Sequence, residues 1–191
     1  MVYVGLTGNI ASGKSEVSRL LAEHGATVVD ADVLAREAVE PGAQGYDRVI
    51  ERWGRDVIAA DGSIDRARLR HIAFSDGDEL EALNAILHPL IARLRRARVA
   101  QARAHGAAVV VYVAPLMFER HLAREFDSII LVDAPREVRL RRLVEQRGIS
   151  MDDAVNMIAA QMAAELKRAR ADFVIENDGT LEELERQVDD V

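Results

Sequence analysis

The residues most able to do chemistry come at the start of the chain. Gly8-Asn9-Ile10-Ala11-Ser12-Gly13-Lys14-Ser15 meets every fixed position of G-x-x-x-x-G-K-[ST]. The types suit phosphate binding. Glycines let successive backbone N–H groups converge on one oxyanion, and a helix that starts there adds its positive dipole end. Lys14 brings a mobile charge to the β- and γ-phosphates, and the Ser15 hydroxyl is a ligand for Mg²⁺. Glu16 follows in the first helical turn. The chain has only two lysines, Lys14 and Lys167, among many arginines, so a lysine at this position is not a product of composition.

A second chemical cluster lies at Asp30-Ala31-Asp32, just after the apolar run Ala26–Val29. In open α/β sheets the C-terminal ends of strands face the ligand crevice, which brings these acids toward the loop. Asp32 is the candidate base for an acceptor hydroxyl. Asp30 is its alternative, or a magnesium ligand through water; a solvated turn or a helix N-cap is the plain reading of the pair. Arginines cluster at Arg136, Arg139, Arg141, Arg142 and Arg147, either as a lid over phosphates or as a solvated helix face. If Arg142 points inward, Arg139 and Arg141 fall on the solvated side, because successive helical residues diverge by about 100°. A further set, Arg93, Arg95, Arg96, Arg98 and Arg103, is expected to form a solvated helix face.

The elements that must hold these residues alternate. Val2–Thr7 is apolar and β-branched, a buried strand. A helix 15–24 follows and stops at Gly25. After the strand 26–29, residues 33–104 look helical nearly throughout, with breaks at Pro41-Gly42, Gly54, Asp61-Gly62 and Asp76-Gly77. Pro89 either opens a new helix or kinks a long one. Tyr46 and Trp53 fall at helical spacing, as core or pocket wall. Ala107–Val113, Ser128–Val132 and Phe173–Ile175 are further strands. Pro135 suits the first position of an arginine-rich helix ending at Gly148; Ser150 and Thr180 start later ones. The pattern predicts an α/β three-layer fold: a parallel five-stranded sheet behind a phosphate loop, with a helical insertion at about 33–104 and a helical lid at about 136–165, all in one domain spanning 1–191.

Composition narrows the function. The 49% apolar content supports a core, and no run of 18 apolar residues offers a membrane span. A net charge of −7 argues against nucleic acid as partner. Without cysteine there are no disulfides or thiolate metal sites. The first residues enter a strand with no basic region or cleavage site, so a cytoplasmic monomer is the expectation. The N-K-x-D and D-x-x-G motifs of GTPases do not occur. Motor ATPases carry an apolar strand ending in an acid; here the 107–113 strand ends in Val-Ala-Pro and the 128–132 strand in a lone Asp133. A kinase of a small metabolite remains, with a non-catalytic nucleotide-binding module as the reading from another class.

Asp30-Ala31-Asp32-Val33-Leu34-Ala35-Arg36 followed by Pro41-Gly42 resembles the acceptor-side signature of dephospho-CoA kinases. Further matches come in order: Asp65-Arg66 with Leu69 and Phe74; Leu83-Asn84 with His88-Pro89; Pro115-Leu116-Met117-Phe118-Glu119; Arg142-Leu143; Gln161; Ala171-Asp172; and Asn177-Asp178-Gly179. The resemblance implies a P-loop kinase that transfers phosphate from ATP to the ribose 3′-hydroxyl of dephospho-CoA, the last step of coenzyme A synthesis, with Mg²⁺. It implies Asp32, Lys14 and Arg142 as catalytic residues and the loop 8–16 with Arg142 and Asn177 around ATP. Arg36, Arg66, His88 and Glu119, together with Asp32, fall to the acceptor. A kinase of another small acceptor, a nucleoside monophosphate or a sugar acid, is the nearest alternative. The chain departs from the family loop, which usually has glycine where Asn9 and Ala11 stand, and from its lid, where Gln146 takes the place of a frequent arginine.

Overall fold

A computed structural model gives the backbone of residues 1–191 and all side chains except those of Phe74 and Ser75. In chain order the elements are β1 (Val2–Thr7), α1 (Lys14–Glu23), β2 (Thr27–Asp30), α2 (Ala31–Glu37), α3 (Gln44–Trp53), α4 (Arg66–Ser75), α5 (Gly77–Ala104), β3 (Val109–Val113), β4 (Ser128–Asp133), α6 (Arg136–Arg141), α7 (Met151–Ala159), α8 (Ala164–Arg168), β5 (Phe173–Glu176) and α9 (Leu181–Asp189). The five strands form one sheet in the order β2-β3-β1-β4-β5. Its central strand, β1, is parallel to β3 (Val4 opposite Val111) and to β4 (Gly5 opposite Ile129). The chain divides into two compact units: Met1–Val28 with Ala102–Val191, and Val29–Gln101.

In the first unit the strands are apolar on both faces, as a parallel sheet covered on both sides requires. Leu6, Val111, Val113, Ile130, Val132 and Ile175 pack with Val17 and Leu20 of α1 and Leu184 and Val188 of α9. On the other face Gly5 leaves room for its neighbours. A Cβ there would lie 2.6 Å from Met117 Sδ and 3.0 Å from Phe126 Cδ2. Phe126 in turn stacks on Tyr112, with centroids 5.9 Å apart. The helix starts follow their caps. Ser150 takes the Asp153 N–H, and Thr180 with Glu183 forms a capping box. Pro135 lies one residue outside the expected place: it is the residue before α6, extended at ψ 146°, and the helix begins at Arg136. The arginine-rich helix is also not uniform. Arg142–Gln146 winds as a π turn before Gly148 ends it at φ 66°.

In the second unit Val39, Val49, Val57, Ile64 and Leu69 make a small core against Tyr46, Ile50 and Trp53. The polar ends of the two large rings are satisfied: Tyr46 donates to Gly62 O at 2.8 Å and Trp53 Nε1 to Glu79 at 2.6 Å. Pro89 sits inside α5, a single helix of 28 residues, so it opens no new one. Ile58 and Ile64 form an isolated antiparallel bridge, which the helical pattern of this region did not suggest. Arg95 is buried, unlike Arg93, Arg96, Arg98 and Arg103 in the set expected to be solvated. Phe74, part of the motif series above, has its side chain outside the described residues.

Replacing Gly5 by valine should force Met117 and Phe126 aside. Overpacking of this kind costs about 1–3 kcal/mol. The thermal unfolding midpoint of Gly5→Val should fall accordingly; an unchanged midpoint would mean the methionine swings clear without loss.

Candidate active site

The loop from β1 to α1 takes its shape from two left-handed residues. Ala11 has φ 59° and Gly13, which precedes α1, has φ 100°. Gly13 is needed twice over, since a Cβ there would overlap Asn177 Nδ2. Ala11 adopts a backbone that L-residues disfavour by about 1–2 kcal/mol. Its methyl compensates by packing with Leu143, Ala154 and Ile158. Lys14 Nζ donates to Gly8 O at 2.8 Å and Asn9 O at 3.0 Å, folded back over the loop. Ser15 is exposed at the start of α1. Glu16 is held by Arg19 at 2.6 Å, and that hydrogen bond draws its carboxyl below the ordinary value.

A loop that aims its N–H groups at a ligand must turn carbonyls the other way. Those of Ala11 and Ser12 are met by two residues from elsewhere. Arg142 Nη1 donates to Ala11 O at 3.2 Å and Ser12 O at 3.4 Å, and Asn177 Nδ2 to Ser12 O at 2.8 Å. Arg142 Nη2 completes the clamp on Asn177 O at 2.9 Å. Burial, helped by Arg141 and opposed by Asp178, lowers the Arg142 guanidinium from its ordinary value. The π turn places Arg142 here while Leu143 beside it is fully buried. Arg139, expected in solvent, is 4% exposed: its Nε donates to Ala134 O at 3.0 Å. Arg141 is exposed.

The other side of the loop is tied to the segment between α7 and α8. Ile10 N donates to Gln161 Oε1 at 2.7 Å, and Asn9 Nδ2 to Met162 O at 3.2 Å. Met162 N donates to Glu119 Oε1 at 3.1 Å, which also takes Lys167 Nζ at 2.8 Å. Burial pushes the Glu119 carboxyl up, but Lys167 and the backbone donors outweigh it, so the group titrates below its ordinary value. Asp133, at the end of β4, is engaged by Arg168 at 2.9 Å and by Ala134 N.

In the second unit Asp30 is the N-cap of α2. Its Oδ1 accepts from Asp32 N at 2.7 Å and Val33 N at 3.3 Å, which is the plain reading of that acid. This leaves Asp32 exposed in the first turn with its carboxylate outside the cap. Arg36, Arg66 and His88 are exposed on α2, α4 and α5.

The dephospho-CoA kinase family model matches residues 2–183. The chain belongs to the dephospho-CoA kinase family. The dephospho-CoA kinase of Streptomyces avermitilis is 51% identical over 191 residues, covering 100% of this chain and 92% of that protein. That of Geobacter metallireducens is 47% identical over 188 residues, covering 98% and 94%. Among solved structures, that of TT1252 from Thermus thermophilus superposes with a TM-score of 0.84 at 36% identity, covering 99% of this chain and 95% of that one.

Within this family frame, sequence reasoning overlooked the pair Glu119–Lys167. Glu119 was expected as a helix cap or an acceptor contact, and Lys167 had no role. The available signal was the rarity of lysine in the chain. For Glu119 the folded pKa lies below the unfolded one. Its stabilisation is therefore present above the unfolded value, about 4.3, and lost as pH falls through the folded one. Below that value the urea midpoint of the unaltered protein should drop more steeply than that of Glu119→Gln. Parallel curves would show that the carboxylate adds nothing to acid sensitivity.

Proposed function

We infer that the chain transfers the γ-phosphoryl group of ATP to dephospho-CoA, giving coenzyme A and ADP, the final step of coenzyme A synthesis. The family match over residues 2–183 carries the conclusion. The reading extends to the ribose 3′-hydroxyl as acceptor. Phosphoryl transfer needs positioning and charge neutralisation more than covalent help. Lys14 leaves Gly8 O and Asn9 O for the β- and γ-phosphates, and the loop 8–16 cradles them through N–H groups other than those of Ile10, Ser12 and Glu16, which bond within the protein. Asp32 takes the acceptor proton; its support is an exposed carboxylate that the Asp30 cap does not occupy. Arg142 keeps the loop carbonyls of Ala11 and Ser12 satisfied and, with Asn177, borders the nucleotide. Arg36, Arg66 and His88 supply the acceptor side; Glu119, expected among them, is engaged instead by Lys167 and Met162 N.

Mg²⁺ accompanies ATP in this reading. The Ser15 hydroxyl is exposed beside Lys14, a hard oxygen donor of the kind this ion takes together with phosphate oxygens and water. The ion, held at the Ser15 hydroxyl, would supply charge neutralisation for the phosphates. A cytoplasmic monomer completes the reading; a net charge of −7 speaks against nucleic acid, and among the described residues no helix is long and apolar enough to cross a membrane.

The purified chain with ATP and Mg²⁺ should release ADP with dephospho-CoA and not with AMP, shikimate or gluconate. Turnover with one of those alone would reassign the acceptor. Asp32→Asn should keep ATP binding while kcat falls roughly 10²–10⁴-fold, the range of a general base. Near-normal turnover would remove Asp32 from that role.

A further inference from the structure

Among the described residues Lys167 is the largest fully buried side chain, 0% exposed. An ammonium taken out of water loses several kcal/mol of hydration, and a well-packed apolar pair of similar volume is often as stable or more so. Stability is thus a weak reason for a buried lysine here. Its contacts suggest another. Nζ reaches Glu119 Oε1 at 2.8 Å and Pro115 O at 3.1 Å. Glu119 Oε1 also accepts from Met162 N, while Oε2 is buried with no hydrogen-bond partner among the described residues. Met162 O in turn receives Asn9 Nδ2, and the adjacent Gln161 side chain receives Ile10 N. The chain of contacts runs from the buried Lys167 and the part-buried Glu119 to two consecutive residues of the phosphate loop, all within one compact unit.

We propose that the Lys167–Glu119 pair is a positioning device for ATP: it fixes the Gln161–Met162 turn, which holds Asn9 and Ile10 and so sets the first half of the phosphate loop. The second half has its own clamp, Arg142 with Asn177. Ile10 N–H, spent on Gln161, points away from the ligand. Ala11 then reverses the backbone at φ 59° and Ser12 N turns back to Asn9 O at 3.1 Å, which puts the donors for an oxyanion from Gly13 onward. If the turn drifts, this reversal loses its anchor and the donors no longer meet at one oxyanion. Glu119 acts through Met162 and does not touch ATP. The proposal rests on ATP being the ligand of the loop.

The test is Lys167→Met combined with Glu119→Leu, which removes both charges and leaves none buried alone. The thermal midpoint should stay within a few degrees of the unaltered protein or rise. The dissociation constant for ATP, by calorimetric titration, and the KM for ATP should rise about tenfold, with the KM for dephospho-CoA within twofold. Gln161→Ala carries the same expectation for ATP and decides the matter if the double variant does not fold. Unchanged ATP affinity in a folded double variant, or in Gln161→Ala, overturns the proposal. So does a rise confined to the dephospho-CoA KM, which would make Glu119 an acceptor contact. The two readings fail separately. Should the unaltered protein bind ATP but ignore dephospho-CoA, the acceptor reading falls, while an ATP affinity lost in the variants still supports the positioning pair.

Discussion

A phosphate-binding loop inverts the usual polarity of a turn, and the rest of the first unit answers that demand. N–H groups gathered on one side put carbonyls on the other, and a carbonyl left dry without a donor costs about 1–3 kcal/mol. Around Ser12, which is fully buried, water cannot serve. The donors come from Arg142, beyond β4, and Asn177, beyond β5, more than a hundred residues away in sequence. The ends of two strands and a π turn are therefore placed by the needs of eight residues at the start of the chain.

The two positions where this loop departs from the glycines usual in its family are not empty substitutions. Asn9 uses its amide to hold Met162 O, and Ala11 buries its methyl against Leu143, Ala154 and Ile158. A glycine would relieve the left-handed strain at Ala11 but would leave that apolar cluster short of one group. Strain in the loop and packing behind it are thus linked. The loop gives up backbone freedom and gains attachment to the segment carrying Arg142, Gln161 and Met162.

Charge poses a second constraint. The chain carries −7, and both substrates of the family are polyanions. Attraction must be local. In the first unit much of the cationic charge near the loop is already committed: Arg19 to Glu16 and Glu23, Arg168 to Asp133 and Glu176, and Lys167 to Glu119. Lys14 donates to Gly8 O and Asn9 O, neutral acceptors that a phosphate outcompetes. In the second unit the exposed Arg36 and Arg66 carry charge at the surface.

Much was legible in the sequence, for local reasons. The loop motif needs only neighbouring residues, and continuous apolar runs mark strands buried on both faces, so β1, α1 and the five parallel strands could be read directly. Caps at Ser150 and Thr180 are equally local. What the sequence could not show are pairings between distant segments. The choice of Asp30 as cap over ligand depended on where its carboxylate lay against two N–H groups. The burial of Arg139, the π turn that brings Arg142 onto the loop, and the single helix through Pro89 are settled by packing. Lys167 shows the difference best. Its rarity could be counted along the chain, but its meaning depends on Glu119 and Pro115, some fifty residues earlier, which only the folded sheet brings within hydrogen-bond reach.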